Sequence, residues 1–176
     1  MKQQNSIDSN QKVELNWYIF YTHPRAEKIA YENLLEKGYN VFLPLKKEVH
    51  KWNNRQKKTV ELPLFPNYLF VNTEVHNIYY ISKSEKISMC IKCGSEPSIV
   101  KDAEMHLIRK MVDLDQDVIV NAKLTSGRRV RIINGPLMGF EGILTKQRGK
   151  YCFGIQLKDI NQSICIDVDV RNLIEI

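Results

Sequence analysis

Residues 63–71 read PLFPNYLFV, which places three aromatic side chains and two prolines within nine positions. Successive side chains of a strand point to opposite faces, so Tyr68 and Phe70 would share one face of a strand. Pro66 fixes the direction of the chain just ahead of that strand, beside Phe65. The pattern alone favours a core strand, and it leaves open whether the aromatic side chains face the core or a partner.

A second informative stretch lies farther along the chain, where residues 130–143 read VRIINGPLMGFEGI. Its apolar segments flank a Gly-Pro turn and two more glycines, a pattern typical of strand, turn and strand. Similar apolar segments recur from residue 125 to the end, at 128–133, 141–146, 151–157, 163–168 and 171–174. Five short strands separated by glycine turns predict a small all-β barrel.

The part of the chain before residue 114 predicts an α+β domain. Residues 15–22 (LNWYIFYT) form a predicted strand, and Pro24 opens a helix that ends at Gly38. Further predicted elements are strands at 39–43, 67–73 and 87–93, a hairpin at 45–62, and helices at 74–82 and 102–112. We therefore expect a disordered tail at 1–14, an α+β domain at 15–113, a linker at 114–124 and the barrel at 125–176.

Positive charge is concentrated in the predicted hairpin. The whole chain carries 26 Lys and Arg residues against 20 Asp and Glu residues. Between positions 46 and 58 there is one acidic residue, and the basic residues are Lys46, Lys47, Lys51, Arg55, Lys57 and Lys58. Clustered positive charge fits a polyanion such as nucleic acid, and Trp52 near the tip offers a ring on which a base can stack. The alternative is a hairpin tip kept soluble by its lysines, with Trp52 packed back on the hairpin.

No pattern of an enzyme or of a membrane protein stands out. No apolar run approaches the ~18 residues that span a bilayer, and the N-terminal segment lacks the apolar core of a signal peptide, so we expect a cytoplasmic location. Cys90 and Cys93 form a CxxC pair, but zinc needs two more ligands, and Cys152 and Cys165 lack paired spacing. We expect reduced thiols, no metal, no cofactor and no catalytic site.

Several segments together resemble the NusG family of transcription elongation factors. Those similar to the N-terminal domain of that family are Trp17-Tyr18, His23-Pro24-Arg25-Ala26-Glu27-Lys28 and residues 63–71. Asn134-Gly135-Pro136, with Gly139 and Gly142, resembles the KOW motif of the C-terminal barrel. The resemblance covers residues 15–176. It implies an N-terminal antiparallel sheet flanked by helices, followed by an SH3-like barrel.

Within the family, the chain is most similar to specialised members. Asn67 stands where the general factor usually has glycine, and residues 63–71 resemble those of the RfaH group of operon-specific antiterminators. The UpxY group, which acts on capsular polysaccharide operons, is another candidate. The resemblance implies a factor that suppresses pausing and termination on particular long operons. A general elongation or termination factor and a ribosome-associated, RNA-binding KOW protein are the alternatives.

The resemblance also implies which residues bind RNA polymerase. In this family the N-terminal domain docks on the clamp helices of the largest polymerase subunit. The matching positions here are Tyr21, Phe65, Pro66, Tyr68 and Phe70. Aromatic side chains supply a large contact area at low entropic cost, which fits an anchor role. The core interpretation applies best to Phe70, and no residue between Val75 and Ser84 matches a recognisable family pattern.

Nucleic-acid contacts follow from the same resemblance. Specialised members read the non-template DNA strand, and His23, Arg25 and Lys28 lie at the corresponding surface, where cations would bind phosphate and His23 would contact a base. An ordinary charged helix start is the alternative for Arg25 and Lys28.

The barrel of this family recruits a second machine, either a protein of the small ribosomal subunit or the termination factor Rho. The corresponding residues here are Gly135, Pro136, Leu137, Met138, Gly139, Phe140 and Gly142. The three apolar side chains among them would either face a partner or cap the barrel core. Because the barrel segments are rich in β-branched residues, we expect a stable barrel that does not refold to helices. We also expect the factor to be a monomer.

Overall fold

The computed structural model describes residues 14–51, 57–114, 116–121, 124, 127–147 and 149–176. The helices are α1 (Glu27–Glu36), α2 (Asn77–Ser82) and α3 (Asp102–Asp113), with short 3₁₀ helices at Lys158–Ile160 and Val170–Asn172. The N-terminal strands are β1 (Asn16–Thr22), β2 (Asn40–Phe42), β3 (Leu45–Lys51), β4 (Lys57–Pro63), β5 (Tyr68–Thr73), β6 (Ile87–Cys90), β7 (Lys92–Cys93), β8 (Glu96–Pro97) and β9 (Ile99–Val100). The C-terminal strands are β10 (Val118–Val120), β11 (Arg128–Ile132), β12 (Glu141–Gln147), β13 (Lys150–Leu157), β14 (Gln162–Asp167) and β15 (Leu173–Glu175).

These elements confirm the predicted α+β class, with an N-terminal sheet and helices followed by an all-β region. Strands β8, β9 and β10 are additional to those that the sequence predicts. Strand β10 lies inside the range 114–124 that the sequence assigns to a linker, and it pairs with β14 of the C-terminal sheet. The predicted tail at 1–14 lies, except for Glu14, outside the described residues. The proposed domain boundaries stay predictions.

The N-terminal sheet is apolar on both faces. Its strands follow the antiparallel order β2-β5-β1-β6, and β9 also pairs with β1. In the register of β1 with β5, Ile19 lies opposite Phe70, and Phe20 lies opposite Leu69. All four of these side chains are buried, although neighbours along a strand point to opposite faces. Each face therefore has to be covered by another element.

Helices α1 and α2 cover the first face of this sheet. Phe20 and Leu69 pack in one cluster with Leu34 of α1 and Ile81 of α2. Each of these side chains is fully buried, and burial of a large apolar side chain contributes about 1.5–3 kcal/mol. Helix α1 gives way to β2 at Gly38, whose φ of +82° is a conformation that glycine adopts without steric cost.

Helix α3 covers part of the second face. Met105, Ile108 and Met111 of α3 belong to the same buried cluster as Trp17 and Phe70 of the sheet. The helix begins with a capping box, in which the side chain of Glu104 accepts a hydrogen bond of 3.1 Å from the backbone N–H of Lys101.

The Arg109 guanidinium of α3 stacks over two aromatic rings of the second face. Its central carbon lies 4.8 Å from the ring centroid of Trp17 and 4.9 Å from that of Phe42. A guanidinium at this distance is attracted to the electron-rich ring face. This contact adds to the packing of α3 on the second sheet face.

The C-terminal sheet has the order β10-β14-β13-β12-β11-β15, and all of its described pairings are antiparallel. One of its faces is lined by buried apolar side chains, among them Val130, Phe153 and Ile164. At Gly142 a Cβ atom would lie 2.7 Å from both the carbonyl oxygen of Gly154 and the Phe153 ring. Glycine is therefore required at this point of β12, where the backbone lies so close to β13.

The two parts of the chain share one apolar cluster. The buried residues of α3 and of the second face of the N-terminal sheet belong to the same cluster as the buried residues of the C-terminal sheet. The clearest contact between the two parts joins His106 of α3 to Phe140, whose rings stack edge to face at 5.3 Å between centroids. The C-terminal sheet is thus docked against α3.

The cysteines are free thiols, and all four lie within the described residues. Burial raises the pKa of Cys90 to about 11 and that of Cys165 to about 12. Both thiols are therefore protonated at neutral pH, which makes them poor nucleophiles and poor metal ligands. Among the described residues, no helix is both long and apolar enough to cross a bilayer.

Replacement of Phe140 tests the docking of the two parts. An edge-to-face aromatic pair contributes about 1 kcal/mol, so Phe140→Ala should raise amide hydrogen exchange in α3 by about fivefold. Met138→Ala is the matched control, because Met138 lies on the same turn and is 68% exposed. Unchanged exchange of the α3 amides in Phe140→Ala would contradict this account of the interface.

Candidate functional site

The turn that leads into β5 is held by backbone and carboxylate contacts. We call residues 63–68 the aromatic turn. Asn67 adopts a φ of +67°, which Asn and Gly tolerate better than other residues. Its N–H donates to Oε1 of Glu27 at 2.8 Å, and its carbonyl accepts from the N–H of Thr22 at 2.8 Å. Glu27 is only 6% exposed, so a buried carboxylate of α1 fixes the turn.

Three side chains form a row on a part of the second sheet face that stays partly exposed. Tyr21 of β1 lies opposite Tyr68 of β5 on one side and opposite Met89 of β6 on the other. The two tyrosine rings stack edge to face at 5.3 Å between centroids. Met89 is 55% exposed, and both tyrosines are partly exposed. We call Met89, Tyr21 and Tyr68 the tyrosine row.

Burial and, to a lesser extent, the neighbouring Tyr21 raise the pKa of Tyr68. Its hydroxyl therefore stays protonated at neutral pH and can donate a hydrogen bond. Pro66, which the sequence also assigns to polymerase binding, is exposed on the adjoining aromatic turn. The row thus combines apolar area with a polar tip, as interface tyrosines commonly do.

Phe65 and Phe70, in contrast, are not accessible to a partner in this arrangement. Both are fully buried, and their rings stack edge to face at 6.0 Å between centroids. The cluster that contains them also contains residues of α3 and of the C-terminal sheet. In this arrangement they serve as core residues, and their role in polymerase binding stays a prediction.

The three side chains predicted to contact DNA near α1 are exposed. The N–H of His23 donates to the carbonyl of Lys86 at 3.0 Å, which brings the end of β1 beside the turn that precedes β6. Arg25 has a φ of +60°, and Lys28 lies on the first turn of α1. The structure therefore adds Lys86 to this basic neighbourhood, and DNA contact stays a prediction.

The basic hairpin consists of β3 and β4, which form a two-stranded sheet of their own. Near its base the charges are balanced, because Lys46 pairs with Glu48, and Lys47 lies opposite Glu61. Lys58 is exposed farther along, and the backbones of Lys51 and Lys57 lie opposite each other. Trp52 and Arg55 lie outside the described residues. The positive excess therefore belongs to the distal part of the hairpin.

In the glycine-rich turn between β11 and β12, some apolar side chains pack against the protein and another faces the solvent. Leu137 is buried in the core, Phe140 contacts α3, and Met138 is exposed. The turn is closed by a hydrogen bond of 2.8 Å from the N–H of Gly139 to the carbonyl of Ile132. Gly139 has a φ of +89°, which explains the glycine at that position. Both sequence alternatives, a core cap and a partner-facing side chain, thus occur within one turn.

Sequence reasoning missed several residues of these surfaces. Met89 belongs to the tyrosine row only because β6 pairs with β1, a long-range register that local periodicity does not contain. Glu27 was part of the quoted helix opening, but nothing in its spacing indicates a contact with Asn67. The exposed Tyr79 and Tyr80 of α2 lie in the segment for which no family pattern was found. Within the described ranges, no three His, Cys, Asp or Glu residues are grouped to hold a metal ion.

Comparisons with known proteins agree with this architecture. Residues 15–109 match the family model described as "Transcription termination factor nusG". The Transcription termination/antitermination protein NusG of Pseudomonas aeruginosa is 24% identical over 140 residues, covering 73% of this chain and 79% of that protein. The protein of the same name from Borreliella burgdorferi is 22% identical over 180 residues, covering 89% and 96%.

A solved structure described as "Domain interaction in Thermotoga maritima NusG" is similar to the whole fold. The two share a TM-score of 0.53 at 21% sequence identity, and the match covers 93% of this chain and 98% of that one. At this level of identity the likeness concerns the fold alone. The fold is thus that of a two-part NusG-type protein, with an α+β sheet followed by an all-β sheet.

The family match extends over more than half of the chain and includes the aromatic turn, the tyrosine row and the basic hairpin. The chain belongs to the NusG family of transcription termination and antitermination factors.

Substitution of Glu27 tests how the aromatic turn is held. Glu27→Ala should lower the free energy of unfolding by about 2 kcal/mol, because the partly buried N–H of Asn67 loses its carboxylate acceptor. Glu27→Gln keeps a carbonyl oxygen in place and should lose less. Urea unfolding measures both, and Glu32→Ala, exposed on the same helix, should stay within about 0.5 kcal/mol of the parent. Equal stability of Glu27→Ala and Glu32→Ala would remove Glu27 from this role.

Proposed function

We propose that this chain is a specialised transcription elongation factor that binds RNA polymerase and suppresses pausing and termination on particular long operons, such as those for polysaccharide synthesis. The observation that carries the proposal is the tyrosine row. It forms an uncovered apolar strip on the sheet face that α3 partly covers. Membership of the NusG family supplies the class of partner.

The row has the properties expected of an interface centre. Interface energy concentrates in a few aromatic anchors, and methionine adapts its shape to a partner surface. Tyr21 and Tyr68 already hold each other edge to face, so little side-chain entropy would be lost on binding. The clamp helices of the largest polymerase subunit are the proposed partner of Tyr21, Tyr68 and Pro66.

Phe65 and Phe70 can join that interface only if the shared cluster that buries them opens. Both are fully buried in the docked arrangement. A partner that needs their rings would have to compete with the intramolecular contacts of the shared cluster, whereas a partner of the tyrosine row would not. We therefore propose that Tyr21 and Tyr68 make the first polymerase contact.

Nucleic acid is the second proposed partner. The side chains of His23, Arg25 and Lys28 are exposed, and the positive charge of Arg25 and Lys28 fits the phosphates of the non-template strand. The distal part of the hairpin, where the sequence places Lys57 and Lys58, is proposed as a separate basic surface. Neither assignment involves catalysis or a cofactor, and the proposed place of action is the cytoplasm.

The C-terminal sheet is proposed to recruit another machine, a small-subunit ribosomal protein or Rho. Met138 is the apolar side chain of its glycine-rich turn that remains exposed while Phe140 is docked on α3. It is therefore the part of that turn that a partner can reach in the docked arrangement.

A general elongation or termination factor is the second candidate, because the curated relatives carry the name of a termination/antitermination protein. Asn67 does not separate the two candidates. Its left-handed φ is one that glycine also adopts readily, so the same turn can be built with either residue. The two candidates differ in whether the factor acts on most templates or on a few, which transcription assays on several operons would decide.

Truncation of Tyr68 tests the polymerase surface. Tyr68→Ala in the full chain should weaken binding to RNA polymerase from the source organism by about 2 kcal/mol, roughly 30-fold, as for an interface anchor. Biolayer interferometry measures the affinity, and urea unfolding of the same sample shows whether the fold is intact. Tyr151→Ala, a partly exposed tyrosine of the C-terminal sheet, is the control. Equal affinity of the two variants would exclude Tyr68 from the interface.

Charge reversal tests the hairpin. Replacing Lys57 and Lys58 with Glu should weaken binding to a DNA-containing elongation complex and flatten the dependence of log affinity on log salt, because fewer counterions are released. The matched control is Lys158→Glu, an exposed lysine on the C-terminal 3₁₀ helix. A salt slope equal to that of the parent would leave the hairpin a role in solubility only.

A further inference from the structure

Helix α2 presents two neighbouring tyrosines to the solvent. Ile78 and Ile81, one helical turn apart, pack against the cluster on the first sheet face. Tyr79 and Tyr80 are consequently directed away from that face, and they are 66% and 63% exposed. Their rings stack edge to face at 5.7 Å between centroids, with an angle of 80° between their planes. Each ring thus holds its neighbour while much of its own surface stays open.

Two lysine side chains lie at the C-terminal end of α2, beside this pair. Nζ of Lys83 lies 5.8 Å from the ring centroid of Tyr79, one helical turn along α2. Nζ of Lys37, at the end of α1, donates to Oγ of Ser84 at 3.0 Å. Packing therefore brings a cation from another helix to the end of α2. We call Tyr79, Tyr80, Lys83 and Lys37 the α2 patch.

Two acidic residues of this neighbourhood lie beside basic side chains. Glu85 lies 3.2 Å from Nζ of Lys86, and Glu74 lies 3.2 Å from Nδ1 of His76. Lys86 in turn accepts the backbone hydrogen bond from His23, which continues the surface toward Arg25. The α2 patch therefore adjoins the surface proposed for the non-template strand.

We infer that the α2 patch binds single-stranded nucleic acid, with bases stacked on Tyr79 and Tyr80 and phosphates held by Lys83 and Lys37. The inference rests on the proposed function, since it extends the path of the non-template strand beyond His23 and Arg25. A single strand is favoured over a duplex because the faces of paired bases are already stacked on each other. Aromatic rings interleaved with cations are the combination that binds unpaired strands without reading their sequence.

The test measures binding of the full chain to a fluorescein-labelled oligo-thymidine of about 16 nucleotides, followed by fluorescence anisotropy. The double variant Tyr79→Ala/Tyr80→Ala should bind roughly tenfold more weakly, as expected when a stacking ring is lost. Tyr79→Phe/Tyr80→Phe keeps both rings and should bind like the parent. Equal losses in the Ala and Phe variants would overturn the stacking inference, because the hydroxyl groups would then carry the contact.

A matched control comes from the other half of the chain. Nζ of Lys146 lies 5.6 Å from the ring centroid of Tyr151, a similar tyrosine–lysine pair on the C-terminal sheet. Tyr151→Ala should leave oligo-thymidine affinity unchanged. A loss equal to that of the α2 double variant would overturn the assignment to α2, since any exposed tyrosine would then suffice.

Parallel measurement of polymerase binding separates this inference from the proposed function. Polymerase binding by the parent, with oligo-thymidine affinity that does not depend on Tyr79 and Tyr80, would overturn the inference and leave the proposed function standing. Loss of polymerase affinity alone in the Ala double variant would also overturn it, because the patch would then dock on protein. A parent that fails to bind polymerase, but whose oligo-thymidine affinity needs both rings, would refute the proposed function and support the patch.

Discussion

The N-terminal sheet is apolar on both faces, and the arrangement of the whole molecule depends on this constraint. Trp17 and Ile19 of β1 point to one face, and Tyr18 and Phe20 point to the other. Two helices, α1 and α2, cover the first face. The second face receives only α3, and the C-terminal sheet packs against that helix. The tyrosine row is the end of the same face that neither of them reaches. The docking of the two parts and the proposed partner surface thus have one origin.

An exposed aromatic side chain is useful as an anchor only if its backbone is held. The aromatic turn meets this requirement through groups that are distant from it in the chain, namely the buried Glu27 carboxylate and the N–H of Thr22. Both contacts converge on Asn67, whose left-handed conformation turns the chain from Phe65 into β5. Tyr68 therefore enters the strand in a defined register opposite Tyr21. Preorganisation of this kind reduces the entropic cost of binding.

Local sequence patterns predicted the elements well and their long-range neighbours poorly. The apolar run of β1, Gly38 after α1, and the glycine turns of the C-terminal sheet are local signals, and each corresponds to an element of the structure. The prediction that Pro24 opens the helix was wrong, because α1 begins at Glu27 and the left-handed Arg25 separates it from Pro24. Strand β10 has only three residues and exists because β14 offers it a partner. The placement of Met89 beside Tyr21, and of Phe140 on His106, likewise depends on pairing between distant segments. Exposure of Tyr79 and Tyr80 follows from which side of α2 is buried, and a helix of six residues carries too short a pattern to show it.

The distribution of ion pairs bears on the alternative in which the C-terminal sheet itself is an RNA-binding module. Among the described residues of that sheet, Arg131 pairs with Glu141 and Lys150 with Asp167, and in the 3₁₀ turn before β15 Arg171 pairs with Asp169. Hydrogen bonds from Arg171 lower the pKa of Asp169 to about 2, and the hydrogen bond from Arg131 lowers the pKa of Glu141. These carboxylates therefore stay ionised well below neutral pH and keep neutralising the neighbouring cations. A phosphate would have to displace them, whereas the exposed His23, Arg25 and Lys28 of the N-terminal part lie beside no such carboxylate pair among the contacts the structure describes. On these contacts, the proposed attraction of nucleic acid belongs to the N-terminal part of the chain, which supports the proposed elongation factor over the RNA-binding alternative.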